Sequence, residues 1–308
     1  EMVASCDEKI GAKLQKVLLL IPSVSFKRYP LKVSVHTQDG QVRKSDIDRS
    51  LQSALHTQVD HNLLIINAVC IKYTCNGISY RRLPENERAD HLVVDIDLLC
   101  ADKNLAYEYV SIVEKSGVAV MDIMLDMYAI CKEAALFEQT VNQNIVLLKI
   151  DYQTTSLALV SKGKLLTCDI LYEGLNSIIK VVEDKYHLPF NVNDRLIKYN
   201  TNFSQNDNSH SAIFAWRTPS GESKYITQAD LSLLVKEPIE ELSSKINEAC
   251  EEIFKSGQTD LVITGEGAKV ESLVKMIKDV TKVETKTYFP ETIGVRNSSY
   301  TALLGAIY

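Results

Sequence analysis

The sequence predicts an α/β protein of two lobes, with a small α+β unit inserted into the first lobe. Three observations support this fold class. Three apolar strands with short turns run from Asn144 to Leu171 and lead into a helix after Gly174. Residues 29–99 show a different pattern of predicted elements, in which a strand and a helix precede further strands. Near the end, the strand Asp260–Thr264 enters a loop with glycines and then a helix with one apolar face, an order typical of α/β lobes.

The first part of the chain predicts short elements in quick succession. Asp39-Gly40 indicates a hairpin, and Ser45 followed by Asp48 indicates the start of a helix. Asp95 and Asp97 alternate on one strand and are expected to face solvent at a sheet edge. Gly117 is expected to end a helix. The predicted elements here are a helix over 1–14, strands over 16–21, 63–73, 77–82 and 91–98, and helices over 102–116 and 125–137.

The later part predicts longer helices around one irregular segment. Residues 189–226 are polar and contain Trp216, the only tryptophan. Thr227 is expected to cap a long helix that Pro238 kinks or restarts. An apolar helix over 299–308 closes the chain.

Composition excludes several classes of function. The 308 residues carry a formal net charge of −6, and such a mildly acidic chain shows no excess of positive charge that would attract nucleic acid. The seven cysteines include no CxxC pair, and the histidines lack metal-ligand spacing, so we expect free thiols in a reducing cytoplasm and no metal site. No signal peptide opens the chain, and no apolar run approaches the ~20 residues of a membrane span.

Four features resemble FtsA, a family of actin-like bacterial cell-division proteins. The tail Tyr288–Gly305 is similar to the end of FtsA from low-GC bacteria, and Val262–Leu273 is similar to the family's adenosine motif. Leu233–Leu242 is similar to a family helix with a hydrophobic-x-x-Glu-Pro pattern. The fourth feature is the small insertion in the first lobe, which FtsA shares with the pilus protein PilM.

The resemblance implies an actin-like two-lobed fold with an inserted small α+β subdomain. It also implies how the chain divides. The expected segments are the first lobe without its opening hairpin (1–28), the inserted subdomain (29–99), the first lobe continued (100–140), the core of the second lobe (141–188), its upper subdomain (189–255), and the rest of the second-lobe core with the closing helix (256–308).

Actin-like folds bind nucleotide between their lobes, so the resemblance implies ATP and Mg²⁺ as the cofactor. The family's Asp-x-Gly-Gly-Gly-Thr phosphate loop aligns with residues 149–154, where Lys149 replaces the aspartate and the three glycines are replaced by Asp151, Tyr152 and Gln153. Backbone N–H groups cradle phosphate only where side chains leave room. We therefore expect no catalytic residue. Three interpretations of the site stay open: it binds nucleotide weakly, it has lost nucleotide binding, or it hydrolyses ATP. The nucleotide-binding residues that the resemblance implies are Asp151, Thr154, Lys198, Gly265, Glu266 and Gly267.

The resemblance implies an adaptor that polymerises with itself and binds the C-terminal tail of FtsZ. Such a protein is cytoplasmic and peripheral at the inner face of the membrane at the division site, and its membrane contact would lie outside this chain. A PilM-like scaffold of a pilus or secretion system and an actin-fold phosphotransferase are the alternatives. Trp216 could equally anchor a small core. The partner-binding residues implied within 214–245 are Trp216, Arg217, Glu237, Ile239 and Glu240.

Overall fold

The computed structural model describes residues 2–140, 143–203, 210–218 and 221–307. They form two compact units. The first unit consists of residues 1–132, 163–169 and 302–308, and the second consists of residues 133–162 and 170–301. Part of the polar stretch predicted within 189–226, and the predicted helix end at Tyr308, lie outside the described residues.

The secondary structure alternates between helices and strands, with a run of strands in the inserted region. In chain order the elements are α1 (Met2–Ile10), β1 (Lys16–Ile21), β2 (Lys27–His36), α2 (Lys44–Leu55), β3 (Leu63–Cys75), β4 (Ile78–Tyr80), β5 (His91–Asp102), α3 (Lys103–Lys115), β6 (Ala119–Leu125), α4 (Asp126–Glu133), α5 (Leu136–Gln139), β7 (Asn144–Ile150), β8 (Thr155–Ser161), β9 (Lys164–Leu171), α6 (Leu175–Tyr186), α7 (Phe190–Asn200), β10 (Ala212–Arg217), β11 (Ser223–Thr227), α8 (Gln228–Lys255), β12 (Thr259–Thr264), α9 (Glu271–Thr281), β13 (Thr285–Thr287) and α10 (Thr301–Ile307).

The inserted part of the first unit is an antiparallel sheet of order β2-β5-β3-β4, with α2 packed against it. Alternate residues of β5 are fully buried, as expected for a strand with one face on a core. This placement corrects the prediction that Asp95 and Asp97 lie at a sheet edge, because β5 has a partner on both sides. Asp97 is buried and accepts two hydrogen bonds from Nη1 of Arg28, at 2.8 and 3.0 Å.

Local turn signals in the insertion were misleading. Asp39 and Gly40 have positive φ angles of 59° and 65°, but they form a 3₁₀ turn that leads from β2 into α2 rather than a hairpin. The helix begins at Lys44, one residue before the predicted cap Ser45, and the backbone N–H of Arg43 donates to the Asp46 carboxylate. The turn residues were identified correctly, but the strand that β2 pairs with is β5, which lies far along the chain.

The predicted helix over 125–137 is also corrected. The segment before it is the strand β6, which pairs in parallel with β1, and only α4 and the short α5 are helical. Ala135 lies between the two helices in a left-handed conformation, with φ of 50°. The partner of β6 is about a hundred residues away, so local periodicity could not reveal the strand.

The second unit contains four strands of the largest sheet, in the order β13-β12-β7-β8. β7 lies between the parallel strand β12 and the antiparallel strand β8. Helices α6, α7, α8 and α9 share one apolar core with β7 and β12. Because β7 and β12 run in parallel, their carboxyl ends, Ile150 and Thr264, meet at the same edge of the sheet, where the segments of the candidate site begin.

Two expectations in the second unit required correction. α8 is one helix of 28 residues, with Thr227 as its cap as predicted, and it does not restart at Pro238. The region 189–226, expected to be irregular, contains α7 and the antiparallel pair β10–β11. Tertiary packing overrides the local signals here: Ile239 and Leu242, which follow the proline, are fully buried in the core.

Candidate functional site

The candidate site lies entirely within the second unit, at the edge of the sheet where β7 ends. The chain turns there from β7 into β8, with Tyr152 and Gln153 at the tip. The N–H of Asp151 donates to the carbonyl of Thr154 at 2.9 Å. The Asp151 carboxylate also lies 3.1 Å from the ammonium of Lys149. The residues that replace the family's aspartate and glycines therefore form a compact hairpin with an ion pair of its own.

The amino end of α6 packs on this hairpin. The first N–H groups of the helix, those of Leu175 and Asn176, donate to the carbonyls of Asp151 and Tyr152 at 3.0 and 2.8 Å. Such N–H groups have no partner within a helix and commonly bind anions. Gly174 permits this approach, since a Cβ there would meet the Asp151 carbonyl at 2.3 Å. These two helix N–H groups are thus already used by protein carbonyls.

The glycines of the predicted adenosine motif are explained by packing against β7. Gly265 has a φ of 81°, and a Cβ there would lie 2.7 Å from the Ile150 carbonyl and 2.9 Å from Oδ1 of Asp151. At Gly267 a Cβ would lie 2.5 Å from the Cβ of Ile150. The loop needs glycine at both positions to approach Ile150, whether or not a ligand binds.

Glu266 lies between these glycines, and its carboxylate meets Lys198 of α7. The Lys198 ammonium donates to Oε2 of Glu266 at 2.5 Å, to Asp194 at 2.9 Å and to the hydroxyl of Tyr152 at 3.0 Å. It also lies 5.1 Å from the centre of the Tyr152 ring. The Lys198 side chain is only 5% exposed, so this cation is buried among its own partners.

The other oxygen of Glu266 is occupied as well. Lys269 donates to Oε1 at 2.8 Å, and Ser299 donates to the same oxygen. Burial alone would raise the pKa of Glu266, but the hydrogen bonds from Lys198, Lys269 and Ser299 outweigh it and lower the pKa from 4.5 to about 2. For Lys198 the signs are reversed. Burial alone would lower its pKa, but the hydrogen bonds to its acidic partners raise the pKa above its ordinary value. Both groups are therefore charged across the physiological range.

The structure brings together all six residues implied for nucleotide binding. Lys198 contacts Glu266, Asp151 lies against Gly265, Thr154 closes the hairpin, and Gly267 packs on Ile150. Sequence reasoning missed the other members of the cluster. Asp194 and Lys269 stand four residues before Lys198 and three after Glu266, which are spacings for pairing along helical turns and could have identified them. No local signal points to Ser299.

Of the residues implied for partner binding, Trp216 and Arg217 lie on β10, whereas Glu237, Ile239 and Glu240 lie on α8. Trp216 on β10 stacks on Phe214 with ring centres 5.9 Å apart, and meets Tyr186 of α6 edge-on at 6.1 Å. Arg217 beside it is exposed. On α8, Glu237 is exposed and Glu240 is about half exposed, but Ile239 is fully buried. Ile239 is therefore a core residue in this structure, which corrects the expectation that it contacts a partner.

A cavity of about 700 Å³ lies beside Trp216, between the β10–β11 hairpin and the carboxyl end of α6. Among the described residues, its lining combines aromatic rings with lysines and contains no carboxylate. The residues that line it are Lys185, Tyr186, His187, Leu188, Pro189, Trp216, Thr218, Ser223, Lys224 and Tyr225.

Neither a metal-binding cluster nor a membrane-spanning helix is found among the described residues. No group of three or more His, Cys, Asp or Glu side chains within 2–140, 143–203, 210–218 and 221–307 is arranged to hold a metal ion. Over the same part of the chain, every helix is too short or too polar to cross a bilayer.

Sequence comparison finds FtsA relatives along nearly the whole chain, although no family model matches it. Cell division protein FtsA of Bacillus subtilis is 23% identical over 280 residues, covering 89% of this chain and 63% of FtsA. FtsA of Staphylococcus epidermidis is 19% identical, covering 96% and 64%. FtsA of Enterococcus hirae is 18% identical, covering 99% and 70%. The chain thus spans less than two thirds of the first two relatives.

Solved structures with the same fold include actin-like proteins. A chain of the PilM–PilN type IV pilus biogenesis complex matches with a TM-score of 0.58 at 11% identity, covering 99% of this chain and 84% of that one. MreB5 of Spiroplasma citri bound to AMPPNP matches with a TM-score of 0.51 at 15% identity, covering 67% and 64%. The chain therefore has the actin-like fold, and its sequence is similar to that of FtsA.

Proposed function

We propose that this chain is an FtsA-like assembly protein, which polymerises with itself and links FtsZ to the cytoplasmic membrane at the division site. The observation that carries the proposal is similarity to cell division protein FtsA over 89–99% of the chain in several bacteria. The membrane contact would lie in a segment outside this sequence. The partner would be the C-terminal tail of FtsZ, bound by the upper part of the second unit.

The proposed function does not include ATP hydrolysis. Phosphoryl transfer requires positioned phosphate and metal contacts. In the turn where the family has its phosphate glycines, this chain has Tyr152 and Gln153, and the carbonyls of the turn are bonded to α6. An actin-fold phosphotransferase is therefore the less favoured alternative.

Co-sedimentation with FtsZ polymers tests the adaptor proposal. We expect the protein to pellet with FtsZ, and we expect Trp216→Ala and the pair Glu237→Lys and Glu240→Lys to reduce the bound fraction several-fold, as truncation of central interface residues does. Glu252→Lys is the matched control, because Glu252 is exposed on the same helix beyond the implied surface. Failure of the unaltered protein to pellet at saturating FtsZ would reject the proposal.

A PilM-like scaffold is the second candidate. The PilM–PilN chain covers 99% of this chain and has the higher TM-score of the two structural relatives described above. Such a scaffold would bind a short segment of a pilus or secretion component instead of FtsZ. The same co-sedimentation experiment separates the candidates, because only the FtsA-like protein is expected to pellet with FtsZ.

A further inference from the structure

We infer that an internal ion-pair cluster of the second unit takes the place of the adenosine end of a nucleotide, so that this unit is held together without the cofactor that its fold implies. The Lys198 cluster consists of Lys198, Asp194, Tyr152, Glu266, Lys269 and Ser299. The inference concerns this site alone and does not depend on FtsZ binding.

The ammonium group of Lys198 is saturated with hydrogen bonds. A lysine ammonium has three N–H donors. Those of Lys198 are directed at Tyr152, Asp194 and Glu266, at 3.0, 2.9 and 2.5 Å. A ribose hydroxyl or a ring nitrogen could reach Lys198 only by displacing one of these partners.

The position of Glu266 is also unfavourable for a bound nucleoside. The family motif has a second glycine where this chain has Glu266, and the flanking glycines are fixed against Ile150. A carboxylate therefore stands at a position that the family keeps free of side chains. The side chain is 12% exposed, and both of its oxygens have cationic partners.

The cluster also connects parts of the unit that are distant in sequence. The cluster joins four separate segments: α7, the loop before α9, the β7–β8 hairpin and the segment at residue 299. Bridging separate segments is the stabilising contribution that a bound nucleotide would otherwise make to this unit. The two lysines and two carboxylates balance in charge, so the cluster needs no counter-ion.

The phosphate end of the site is closed by the same kind of internal pairing. The first two N–H groups of α6 bond to the carbonyls of Asp151 and Tyr152, and the Asp151 carboxylate is paired with Lys149. The residues present therefore do not fit ATP at either end of this part of the fold.

Thermal unfolding of a set of variants tests the stabilising role of the cluster. Breaking a buried ion pair should lower Tm by roughly 10 °C in a unit of this size, so we expect that drop for Lys198→Met and for Glu266→Gln. The double variant should lose much less than the sum of the two, because they act on one interaction. Lys278→Met is the matched control: its ion pair with Glu284 is about half exposed, and a drop within about 3 °C is expected.

Tyr152→Phe keeps the test decisive if Lys198→Met does not fold. It removes only the hydroxyl that accepts from Lys198, and we expect a drop of about 5 °C, larger than that of the control, because the lost hydrogen bond is to a charged group. Additive losses in the double variant, or single losses no larger than that of the control, would overturn the inference.

Addition of nucleotide tests whether the Lys198 cluster takes the place of a bound nucleotide. At about 1 mM, a ligand with a Kd of about 10 µM would raise Tm by roughly 5–10 °C. We expect Mg-ATP and adenosine, added separately to the unaltered protein, to leave Tm within about 1 °C. A clear rise with either, or saturable binding by calorimetry, would show that the cluster does not replace the nucleotide. FtsZ co-sedimentation would be unaffected by that result, so the two proposals fail separately.

Discussion

Glu266 illustrates how one side chain can change what a loop does. The glycines on either side remain because Ile150 leaves no room for a Cβ, so the motif keeps its shape. The residue between them supplies a carboxylate to which Lys198, Lys269 and Ser299 donate. At this scale, a motif that resembles a ligand site is maintained by packing and ion pairing alone.

The depressed pKa of Glu266 predicts how stability depends on acid. The folded protein holds this pKa at about 2, against 4.5 ordinarily, so the ionised group stabilises the fold above pH 4.5. That contribution is lost as pH falls from about 4.5 through about 2. Urea unfolding at several pH values should show a shallower loss over this window in Glu266→Gln than in the unaltered protein.

Glu284→Gln is the control for the acid measurement, because Glu284 is 55% exposed and paired with one exposed lysine. It should retain the steep loss of stability of the unaltered protein. An equally steep loss in Glu266→Gln would mean that the protons are taken up by other groups.

Individual residues of the site were largely predictable from the sequence, whereas their roles were not. The aligned motifs identified Lys198 and the glycine-containing loop, and the structure brings them together. That Lys198 pairs with Glu266 depends on the contact between α7 and the loop before α9, which are 68 residues apart. No spacing rule operates across such a distance.

Among the elements, α10 and α4 pack unusually closely in the first unit. Gly305 of α10 faces Ala129, and a Cβ at Gly305 would lie 1.8 Å from the Ala129 carbonyl oxygen. In an exposed helix, glycine to alanine is stabilising by about 1 kcal/mol. Here we expect Gly305→Ala to destabilise by roughly 1–3 kcal/mol, measured by urea unfolding, because the helices must separate.

Gly257→Ala is the comparison for the helix contact. A Cβ there would meet its nearest neighbour, Nδ2 of Asn144, at 3.7 Å, an ordinary contact. A change within about 0.5 kcal/mol is expected. If Gly305→Ala were as mild as this control, the close approach of α10 to α4 would not be a constraint on the fold.

Most elements were predictable, and the misses share one cause. β1, β7 and α3 have strong apolar patterns and lie within a residue or so of the expected bounds. β6 and α7 were missed because their stability comes from packing against other elements, β1 and α6, rather than from a local pattern. Pro238 predicted a restart that does not occur, because a buried apolar face continues on both sides of it within α8.

For the whole molecule, the proposal that this protein is not an enzyme predicts the outcome of a phosphate-release assay. With Mg-ATP, release should stay at the level of a buffer blank, because the β7–β8 turn presents side chains and bonded carbonyls where phosphate would need free N–H groups. Restoring glycines at Tyr152 and Gln153 alone should not create activity, since Glu266 would remain. Turnover above the blank that Lys198→Met abolishes would contradict the proposal.

The single tryptophan gives the second unit an optical label of its own. Trp216 is the only indole in the sequence, and it stacks on Phe214 and meets Tyr186 within the second unit. Selectively excited emission from the intact protein therefore originates from the β10–β11 hairpin and not from the first unit. Compared with circular dichroism, which averages over both units, that emission shows whether the second unit unfolds separately, without any added dye.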